Sequence, residues 1–555
     1  MKKRSFHKLC ASNLPLFLLF LCAVILSCTT VFSVSAHLLD SDASGDLVLA
    51  HHLYQTGGLL SEDWFYATEI SAVYTQLFFT PLFSIFSSWQ IVRFVGTLLM
   101  HLVYLLCCGF FMYQAGSSRK AFYLSAAMLL LPVSVVYGRV VLYHVYYIIH
   151  LSLSFLIVGS FLACTKALAA HKKVHFSLWF MLFVCISLIS GLNGYRQIAI
   201  THAPLALLVI VWFYQAGTGE KMLLPLKTLF VLGAGVVATG IGLIVNMGWQ
   251  ASYSFRDFSV MGLSVIPAEN LVNMLFGLFH QFGYRREIPL LTKMGLMSVA
   301  SLAVALYCIL HSVRAVLKPQ AVSNIESFFS EYMLACSLVV VTLIFLFTRQ
   351  NTFSELYFLP YCIWFVPMLS NLAAGPRASH PAAVQLPARR LVAWLFCAVC
   401  LVNGLLNLQS FNNVEGFNQR YEGLKNMTDP NYSSYLAETV DYLKTNEYDL
   451  GYAEYWDTNL VTELTDGSVR MIGIKDVSSS RQEFPFVNYD WLSVRSHRTD
   501  PNVEKPFLLL HHYQTDLVEQ TSLQSLVRPV FRSAGYVVYD ILDLDAWRAA
   551  MLASE

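Results

Sequence analysis

Residues 13–36, NLPLFLLFLCAVILSCTTVFSVSA, form an uncharged apolar run that is followed directly by the polar stretch HLLDSDASGDLVLAHHLYQTGGLLSEDWFYATEI at 37–70. About 20 apolar residues in a helix cross the roughly 30 Å hydrocarbon layer of a bilayer. The run is too long for the core of a signal peptide and lacks a small-residue cleavage site near its end, so we expect a retained anchor. The polar stretch then places Asp40, Asp42 and Asp46 close to the membrane surface. Carboxylates have no packing use at this boundary, so the cluster predicts chemistry or cation binding.

The composition is that of a membrane protein with an acidic tail. Hydrophobic residues make up 56% of the 555 residues, charged residues make up 13%, and the mean hydropathy is +0.54. Residues 1–409 carry 24 Lys and Arg against 13 Asp and Glu, whereas residues 410–555 carry 12 against 22. Neither part resembles a nucleic-acid-binding surface. All 12 cysteines precede residue 401, and their spacing indicates neither a disulfide framework nor a zinc site.

Hydropathy predicts about eleven membrane spans, near 13–36, 91–114, 120–137, 141–169, 175–192, 199–215, 223–246, 293–314, 330–348, 353–372 and 391–409. With a cytoplasmic N-terminus, nearly every loop on the cytoplasmic side is basic, as the positive-inside rule requires. Those loops are SSRK at 117–120, HKK at 171–173, GEK at 219–221, HSVRAVLK at 311–318 and GPRASHPAAVQLPARR at 375–390. The segment 72–88 is short and contains Pro81, so we interpret it as a helix lying at the interface.

This topology predicts two domains in a multi-pass protein of the plasma membrane. Residues 1–409 form the α-helical transmembrane domain, whose first external loop is 37–90, and residues 410–555 form an extracytoplasmic α/β domain. In that tail, 433–448 has helical spacing, with Leu436, Val440 and Leu443 on one face. The segments YDLGYAEY, SVRMIGI, PFLLLHH and GYVVYDIL read as strands, with a helical pattern at 514–527 between the last two. Such an alternation is typical of a partly parallel sheet covered by helices.

The carboxylates of the first loop are the leading candidates for chemistry. Asp40 and Asp42 would share one face of an extended segment, while Asp46 begins an apparent helix and could be its N-terminal anion. A carboxylate at this place can act as a general base toward a hydroxyl group, or it can hold a divalent cation against a phosphate. The alternative is that all three residues only solvate the loop and cap a helix. Weaker candidates for substrate binding follow in the same loop, namely Glu62, Asp63, Trp64 and Glu69.

Two further segments combine arginine with polar groups on the predicted outer side. In RQNTFSELYFLPYCIWFVP at 349–367, Arg349 follows an apolar span and Tyr357 lies eight residues later. In GLNGYRQIAITHAP at 191–204, Arg196 and His202 could line a common cavity. An arginine at such a place can bind a phosphate through two parallel N–H bonds. The alternative is that each arginine only marks the interfacial end of a helix.

The first loop also carries a resemblance to a known class. A first span, an acidic loop, a helix ending in Gly57-Gly58, an aromatic segment and a Pro-containing interfacial helix precede an Arg-led second span. This order resembles the GT-C membrane glycosyltransferases, in particular the protein O-mannosyltransferases and the bacterial lipid A aminoarabinose transferases. The resemblance implies that Asp42, or otherwise Asp40, is the catalytic residue. The chain departs from the class in DSDASGD, in TQLFFTPLF, which lacks a Pro-Pro pair, and in Glu355, where relatives often carry arginine.

The function that this resemblance implies is an inverting glycosyltransferase of the hexosyltransferase type. It would move a sugar from a polyprenyl-phosphate donor to a glycan, lipid or protein acceptor of the cell surface or cell wall, on the outer face of the membrane. Arg349, Arg196 and Tyr357 would bind the donor phosphate, and no cofactor is implied beyond a divalent cation as an option. The competing hypotheses are a transporter or flippase of lipid-linked glycans, and a polymerase or ligase that joins long glycan chains. Pseudo-symmetric halves and ionisable groups inside spans are typical of transporters, and no internal repeat is evident in this sequence.

Overall fold

The computed structural model describes residues 2–35, 38–216, 223–256, 262–263, 268–317, 329–349, 354–375, 387–412, 431–476 and 484–554. The chain forms two compact units. The membrane unit comprises Met1–Thr30, Leu99–Met247 and Ser259–Gln409. The loop–tail unit comprises Val31–Leu98, Gly248–Phe258 and Ser410–Glu555.

The described residues contain ten helices that are long and apolar enough to cross a membrane. They are Asn13–Val34, Trp89–Gln114, Ile148–Ala169, Lys173–Leu192, Ile198–Gln215, Leu224–Ser252, Lys293–Leu317, Phe329–Phe347, Glu355–Ala374 and Pro387–Phe411. The span predicted at 120–137 is instead a broken pair, Arg119–Leu130 and Val135–Tyr143, which are bent by 81°. The predicted number of about eleven spans is met only if this pair counts as one span.

The break in this pair has a cause in the sequence. Proline disfavours the helical conformation in the residue before it, and Leu131, before Pro132, is extended with φ −106° and ψ 141°. Ser134 then caps the next helix by accepting a hydrogen bond from the Tyr137 N–H at 3.1 Å. The carbonyls of Pro132 and Val133 leave the helical ladder and accept hydrogen bonds from the side chains of Asn407 and Asn403, each at 2.7 Å. Side-chain donors therefore satisfy the irregular backbone.

The segment 72–88 contains no helix of spanning length, in agreement with the prediction. It forms a single helical turn at Gln76–Phe79 and a 3₁₀ turn at Thr80–Ser84, in which Pro81 occupies an early position. Proline fits the first turn of a helix because the N–H group that it lacks has no intrahelical partner there. The first loop thus contributes short turns beside its one long helix, Ser41–Thr56.

The tail forms the α/β domain that its sequence predicts, around a six-stranded sheet. The strand order is Val527–Arg532, Tyr536–Ile541, Pro506–His511, Leu450–Glu454, Arg470–Asp476 and Phe486–Asn488. Leu450–Glu454 runs parallel to both of its neighbours, and the remaining pairs are antiparallel. All four predicted strands are present.

Three helices pack against this sheet, namely Asn431–Thr445, Tyr455–Leu464 and Leu544–Ser554. The strand Pro506–His511 is buried on both faces, with Leu508 and Leu510 in one hydrophobic cluster and Phe507 and Leu509 in the other. This alternation follows from the two-residue period of a strand. The second cluster contains the three residues predicted for one helical face, Leu436, Val440 and Leu443.

One helix predicted in the tail is shorter in the structure. The helical pattern at 514–527 is a helix only at Thr515–Gln520, with a 3₁₀ turn at Ser522–Ser525, and Val527 already begins a strand. That strand contains Pro529, which cannot donate a ladder hydrogen bond, and it lies at the edge of the sheet where such a residue is tolerated.

A small second sheet joins segments that are far apart in the sequence. Trp64–Ala67 in the first loop pairs in parallel with Phe255–Arg256 and antiparallel with Ser493–Val494 of the tail. In the membrane unit, Gly262–Leu263 pairs with Thr348–Arg349, and Ala268–His280 forms a further helix. The three-stranded sheet of Trp64–Ala67, Phe255–Arg256 and Ser493–Val494 therefore ties both loops of the loop–tail unit to the tail.

Candidate active site

The first loop begins its helix earlier than the sequence analysis predicts. The helix is Ser41–Thr56, and Asp40 is its N-cap, with an extended backbone and a carboxylate that accepts a hydrogen bond from the Ala43 N–H at 2.9 Å. Aspartate is a preferred N-cap because its carboxylate satisfies an N–H group that has no intrahelical partner. The prediction that Asp46 begins this helix was therefore wrong. Asp40 has the capping role instead.

Asp42 lies in the first turn of this helix, where the helix dipole favours a negative charge. Its Oδ1 accepts a hydrogen bond from the hydroxyl of Tyr455, which is the first residue of a helix in the tail. The Asp42 side chain is half-buried. An ionised carboxylate is thus favoured here by the dipole and by a fixed donor, which is the form that a general base needs.

Asp46 lies one helical turn beyond Asp42 and has a different environment. It keeps a small exposed surface, but its Oδ2 is buried and has no hydrogen-bond partner among the described residues. Burial raises the pKa of Asp46 to about 7, against the opposing effects of the Thr75 hydroxyl and the Arg93 charge. A carboxyl group with such a pKa exchanges its proton near neutral pH, which is a property of groups at functional sites as well as of buried structural groups.

The tail packs onto the start of the Ser41–Thr56 helix through one face of its own helix, Tyr455–Leu464. Asn459 donates from its backbone N–H and from its side chain to the hydroxyl and carbonyl oxygens of Ser41, both at 3.2 Å. One turn further, Glu463 forms a buried ion pair with Arg93, including an Nη2–Oε2 distance of 2.5 Å. Arg93 also donates to the Ala43 carbonyl at 3.0 Å. These contacts place the tail helix against the residues that flank Asp42.

Two of the weaker first-loop candidates have structural partners. Asp63 accepts a hydrogen bond from the Ser496 N–H at 2.8 Å, and its carbonyl accepts one from the Arg495 N–H at the same distance. Trp64 is fully buried within the small sheet. Glu62 is exposed and Glu69 is half-buried. Asp63 and Trp64 thus join the loop to the tail, a role that the sequence analysis did not consider.

Aromatic side chains surround Tyr455. The ring centroids of Trp456, Tyr489 and Trp491 lie 5.2, 5.7 and 6.3 Å from that of Tyr455. Trp456 is 48% exposed, and the guanidinium of Arg256 lies over the Tyr489 ring at 5.7 Å. Tyr455, Arg93 and Glu463 were not among the residues predicted from the sequence. The only available signal was the spacing of Tyr455, Asn459 and Glu463 at i, i+4 and i+8, which puts them on one helical face.

The candidates for phosphate binding lie in the membrane unit. The guanidinium of Arg196 stacks over the Tyr147 ring at 5.1 Å. His202 is buried, with its Nδ1 at 3.2 Å from the Gln197 carbonyl and its Nε2 at 3.2 Å from the Thr239 hydroxyl. Arg196 is half-buried beside a ring face, and His202 has hydrogen-bond partners on both ring nitrogens.

The second phosphate segment is described only in part. The backbone of Arg349 pairs with Gly262, while its side chain lies outside the described residues. Tyr357 is 39% exposed on a 3₁₀ turn, Glu355–Phe358. Glu355 is paired with the Nδ1 of His280. Within the described ranges, no three His, Cys, Asp or Glu side chains are grouped so that they could hold a metal ion.

No protein-family model matches the chain, and no curated protein sequence matches it. Its fold is similar to that of solved structures. ArnT from Cupriavidus metallidurans in the apo state is 13% identical with a TM-score of 0.51, covering 94% of this chain and 97% of ArnT. ArnT bound to undecaprenyl phosphate is 12% identical with the same TM-score of 0.51, covering 95% and 98%. The oligosaccharyltransferase of Archaeoglobus fulgidus, tethered to an acceptor peptide, is 12% identical with a TM-score of 0.44, covering 95% and 74%.

The chain therefore has the fold of the GT-C glycosyltransferases, a multi-pass membrane architecture with a tail domain, as the resemblance implied. ArnT, a lipid A aminoarabinose transferase, is one solved protein to which this fold is similar.

Proposed function

We propose that this protein is a glycosyltransferase that uses a polyprenyl-phosphate sugar as its donor. Its acceptor is a hydroxyl group on a glycan, lipid or protein of the cell surface or cell wall, and transfer takes place on the outer face of the plasma membrane. The reaction is inverting and of the hexosyltransferase type. The fold shared with ArnT supports the use of a lipid-linked donor, since one ArnT structure contains undecaprenyl phosphate.

The observation that carries this proposal is the environment of Asp42. On a fold of this class, the first turn of the first-loop helix presents one half-buried carboxylate that is hydrogen-bonded by a tyrosine. The two nearby aspartates are in other environments, because Asp40 caps the helix and Asp46 is largely buried. Asp42 is thus the first-loop aspartate best suited to accept a proton from an acceptor hydroxyl.

The proposed chemistry is a single displacement. The acceptor oxygen attacks the anomeric carbon while the bond from that carbon to the phosphate oxygen breaks. Asp42 takes the hydroxyl proton, and the electron pair of the broken bond stays on the released polyprenyl phosphate. Attack opposite to the leaving group inverts the anomeric configuration.

The negative charge that develops on the leaving phosphate needs a cation. Arg196 and Arg349 have this role in the proposed reaction, with Tyr357 as a hydroxyl donor. Of these residues, Arg196 has the best structural support for phosphate binding. Its stacking over Tyr147 orients the guanidinium plane, and a planar fork matches phosphate geometry. Stabilising charge at the leaving oxygen is commonly the largest catalytic contribution in group transfer.

A transporter of lipid-linked glycans would keep the bond between sugar and phosphate, and a polymerase or ligase would break it but join long chains. The decisive experiment incubates purified protein in nanodiscs with radiolabelled polyprenyl-phosphate sugars, namely mannosyl, glucosyl, galactosyl and aminoarabinosyl lipids. Membranes from cells that lack the protein supply the acceptor. Release of free polyprenyl phosphate with label in a new product is the expected result. Intact lipid-linked sugar that crosses a proteoliposome membrane would indicate a flippase instead, and repeating the assay with EDTA tests divalent-cation dependence.

A further inference from the structure

The tail supplies one side chain that contacts the proposed base directly. Tyr455 begins the Tyr455–Leu464 helix, is only 7% exposed, and donates its hydroxyl hydrogen bond to Asp42 Oδ1. Burial and the negative charge of Asp42 raise the pKa of the Tyr455 phenol well above its usual value. The phenol therefore stays protonated and remains a donor at neutral pH.

Contacts between the two helices hold this hydroxyl beside Asp42. On the same helical face, Asn459 bonds Ser41, and Glu463 bonds Arg93, which in turn bonds the Ala43 carbonyl. Ser41 and Ala43 are the residues on either side of Asp42. The helix that carries the donor is thus held to the same backbone turn as the acceptor, and the two helices cannot separate here without breaking a buried ion pair.

The hydrogen bond holds Oδ1 of the Asp42 carboxylate at the start of the first-loop helix. We propose that Tyr455 is a positioning residue for the catalytic base: its hydroxyl donates to Oδ1 of Asp42 and so fixes the orientation of the carboxylate that receives the acceptor proton. The inference rests on the proposed function of Asp42 and goes beyond it, because it makes the tail domain a part of the catalytic centre. A chain without residues 410–555 would keep Asp42 but lack the group that orients it.

Tyr455→Phe tests the proposal because it removes the hydroxyl and keeps the ring. A hydrogen bond to the ionised form lowers the pKa of a carboxyl group, so its loss raises the pKa of the base. The acidic limb of the pH profile of kcat should then move to higher pH by roughly one pH unit, and kcat at neutral pH should fall about tenfold. KM for the radiolabelled donor should change less than twofold, because Tyr455 has no role in donor binding.

A matched control removes another bond of the same kind from the same domain. Tyr448 donates to Asp540 within the tail, so Tyr448→Phe should lower stability without moving the pH profile. If Tyr455→Phe does not fold, 3,5-difluorotyrosine at position 455 keeps the shape and makes the phenol a stronger donor. The acidic limb should then move to lower pH.

The outcomes separate this inference from the function on which it rests. A wild-type pH profile in Tyr455→Phe, or an unshifted limb with difluorotyrosine, overturns the positioning role while the Asp42 assignment stands. Full turnover in Asp42→Asn overturns the assignment of the base itself. A shift in the control Tyr448→Phe equal to that in Tyr455→Phe would also overturn the inference, because it would show a general effect of the tail.

Discussion

At the scale of single residues, three aspartates within seven positions have three different environments. Asp40 lies before the helix and caps it, Asp42 lies in its first turn, and Asp46 lies one turn further in. The helical repeat places Asp42 and Asp46 on the same face, and Asp42 accepts a hydrogen bond from Tyr455 of the tail. The chemical difference between the three therefore comes from their places on one helix and from what packs against it.

Asp46 should make stability depend on pH. Its folded-state pKa of about 7 lies above the ordinary value of 3.8, so the folded protein retains a proton that the unfolded chain releases between these values. The stability that Asp46 contributes is thus present at low pH and is lost as pH rises through about 7. Asp46→Asn removes the ionisation, so its melting temperature relative to the parent should rise by several degrees more at pH 8 than at pH 5.

Tryptophan fluorescence during heating in detergent measures this difference. Asp40→Asn is the matched control, since asparagine is as good an N-cap as aspartate. A melting-temperature difference between Asp46→Asn and the parent that is the same at both pH values would show that Asp46 is ionised in the folded protein at pH 5.

Arg196 should be sensitive to a change that keeps its charge. A lysine ammonium cannot reproduce a planar fork that stacks on a ring and binds phosphate through two bonds. Arg196→Lys should therefore raise KM for the polyprenyl-phosphate donor about tenfold, which corresponds to ~1.4 kcal/mol of lost binding. Tyr147→Phe keeps the ring face and is the control. Unchanged donor kinetics in both Arg196→Lys and Arg196→Ala would leave Arg196 with an interfacial role only.

At the scale of elements, the Tyr455–Leu464 helix has a structural partner on each side. One face contacts the first-loop helix, as described above. On another face of the same helix, Asp457 is buried and accepts a hydrogen bond from the Tyr536 hydroxyl at 2.9 Å. Its Oδ2 lies 3.0 Å from His511 Nε2. Asp457 and Asn459 thus have structural partners and are buried, whereas Trp456 in the same turn is exposed.

The ion pair of this helix should be worth far more than a surface pair. Glu463→Ala leaves the Arg93 guanidinium buried without its carboxylate, and losing one partner of a buried pair costs about 3–5 kcal/mol. The melting temperature should fall by many degrees. Lys444→Ala, which removes an exposed pair with Asp466, is the control and should cost less than about 1 kcal/mol. Equal losses in the two variants would contradict the buried geometry.

Local patterns predicted most elements, and the exceptions have physical causes. Apolar runs located the spans, and alternation located four tail strands, because both signals lie within one segment. The bend at Pro132 was visible as a proline, but the Asn403 and Asn407 donors that stabilise it lie about 270 residues away. The strand at Val527–Arg532 was missed because Pro529 and two arginines conceal its period.

At the scale of the whole molecule, the loop–tail unit joins three separate parts of the chain, Val31–Leu98, Gly248–Phe258 and Ser410–Glu555. Contacts such as Ser41 to Thr458, at 3.3 Å, join residues more than 400 positions apart. No local pattern encodes such a pairing. Asp40 and Asp42 could therefore be predicted as candidates from the sequence. Tyr455 could not, because its contact with Asp42 exists only in the folded chain.

The predicted orientation of the chain is testable with reporters. The basic loops predict that the tail and residues 375–390 lie on opposite sides of the membrane. A periplasmic reporter, alkaline phosphatase, fused after Glu555 should be active, and the same reporter inserted in 375–390 should be inactive, with a cytoplasmic fluorescent reporter giving the reverse pattern. Activity of the same reporter at both sites would contradict the predicted topology and the outer-face reaction.

The central claim is that Asp42 is the base of a sugar transfer from a lipid phosphate. The most direct test is the release of polyprenyl phosphate by Asp42→Asn, since asparagine keeps the size of the side chain and removes its basicity. Turnover should fall by about 100-fold or more while donor binding and membrane insertion persist. Asp40→Asn, which keeps the cap, should lose far less. Wild-type turnover in Asp42→Asn, or equal and mild losses in both variants, would contradict the account.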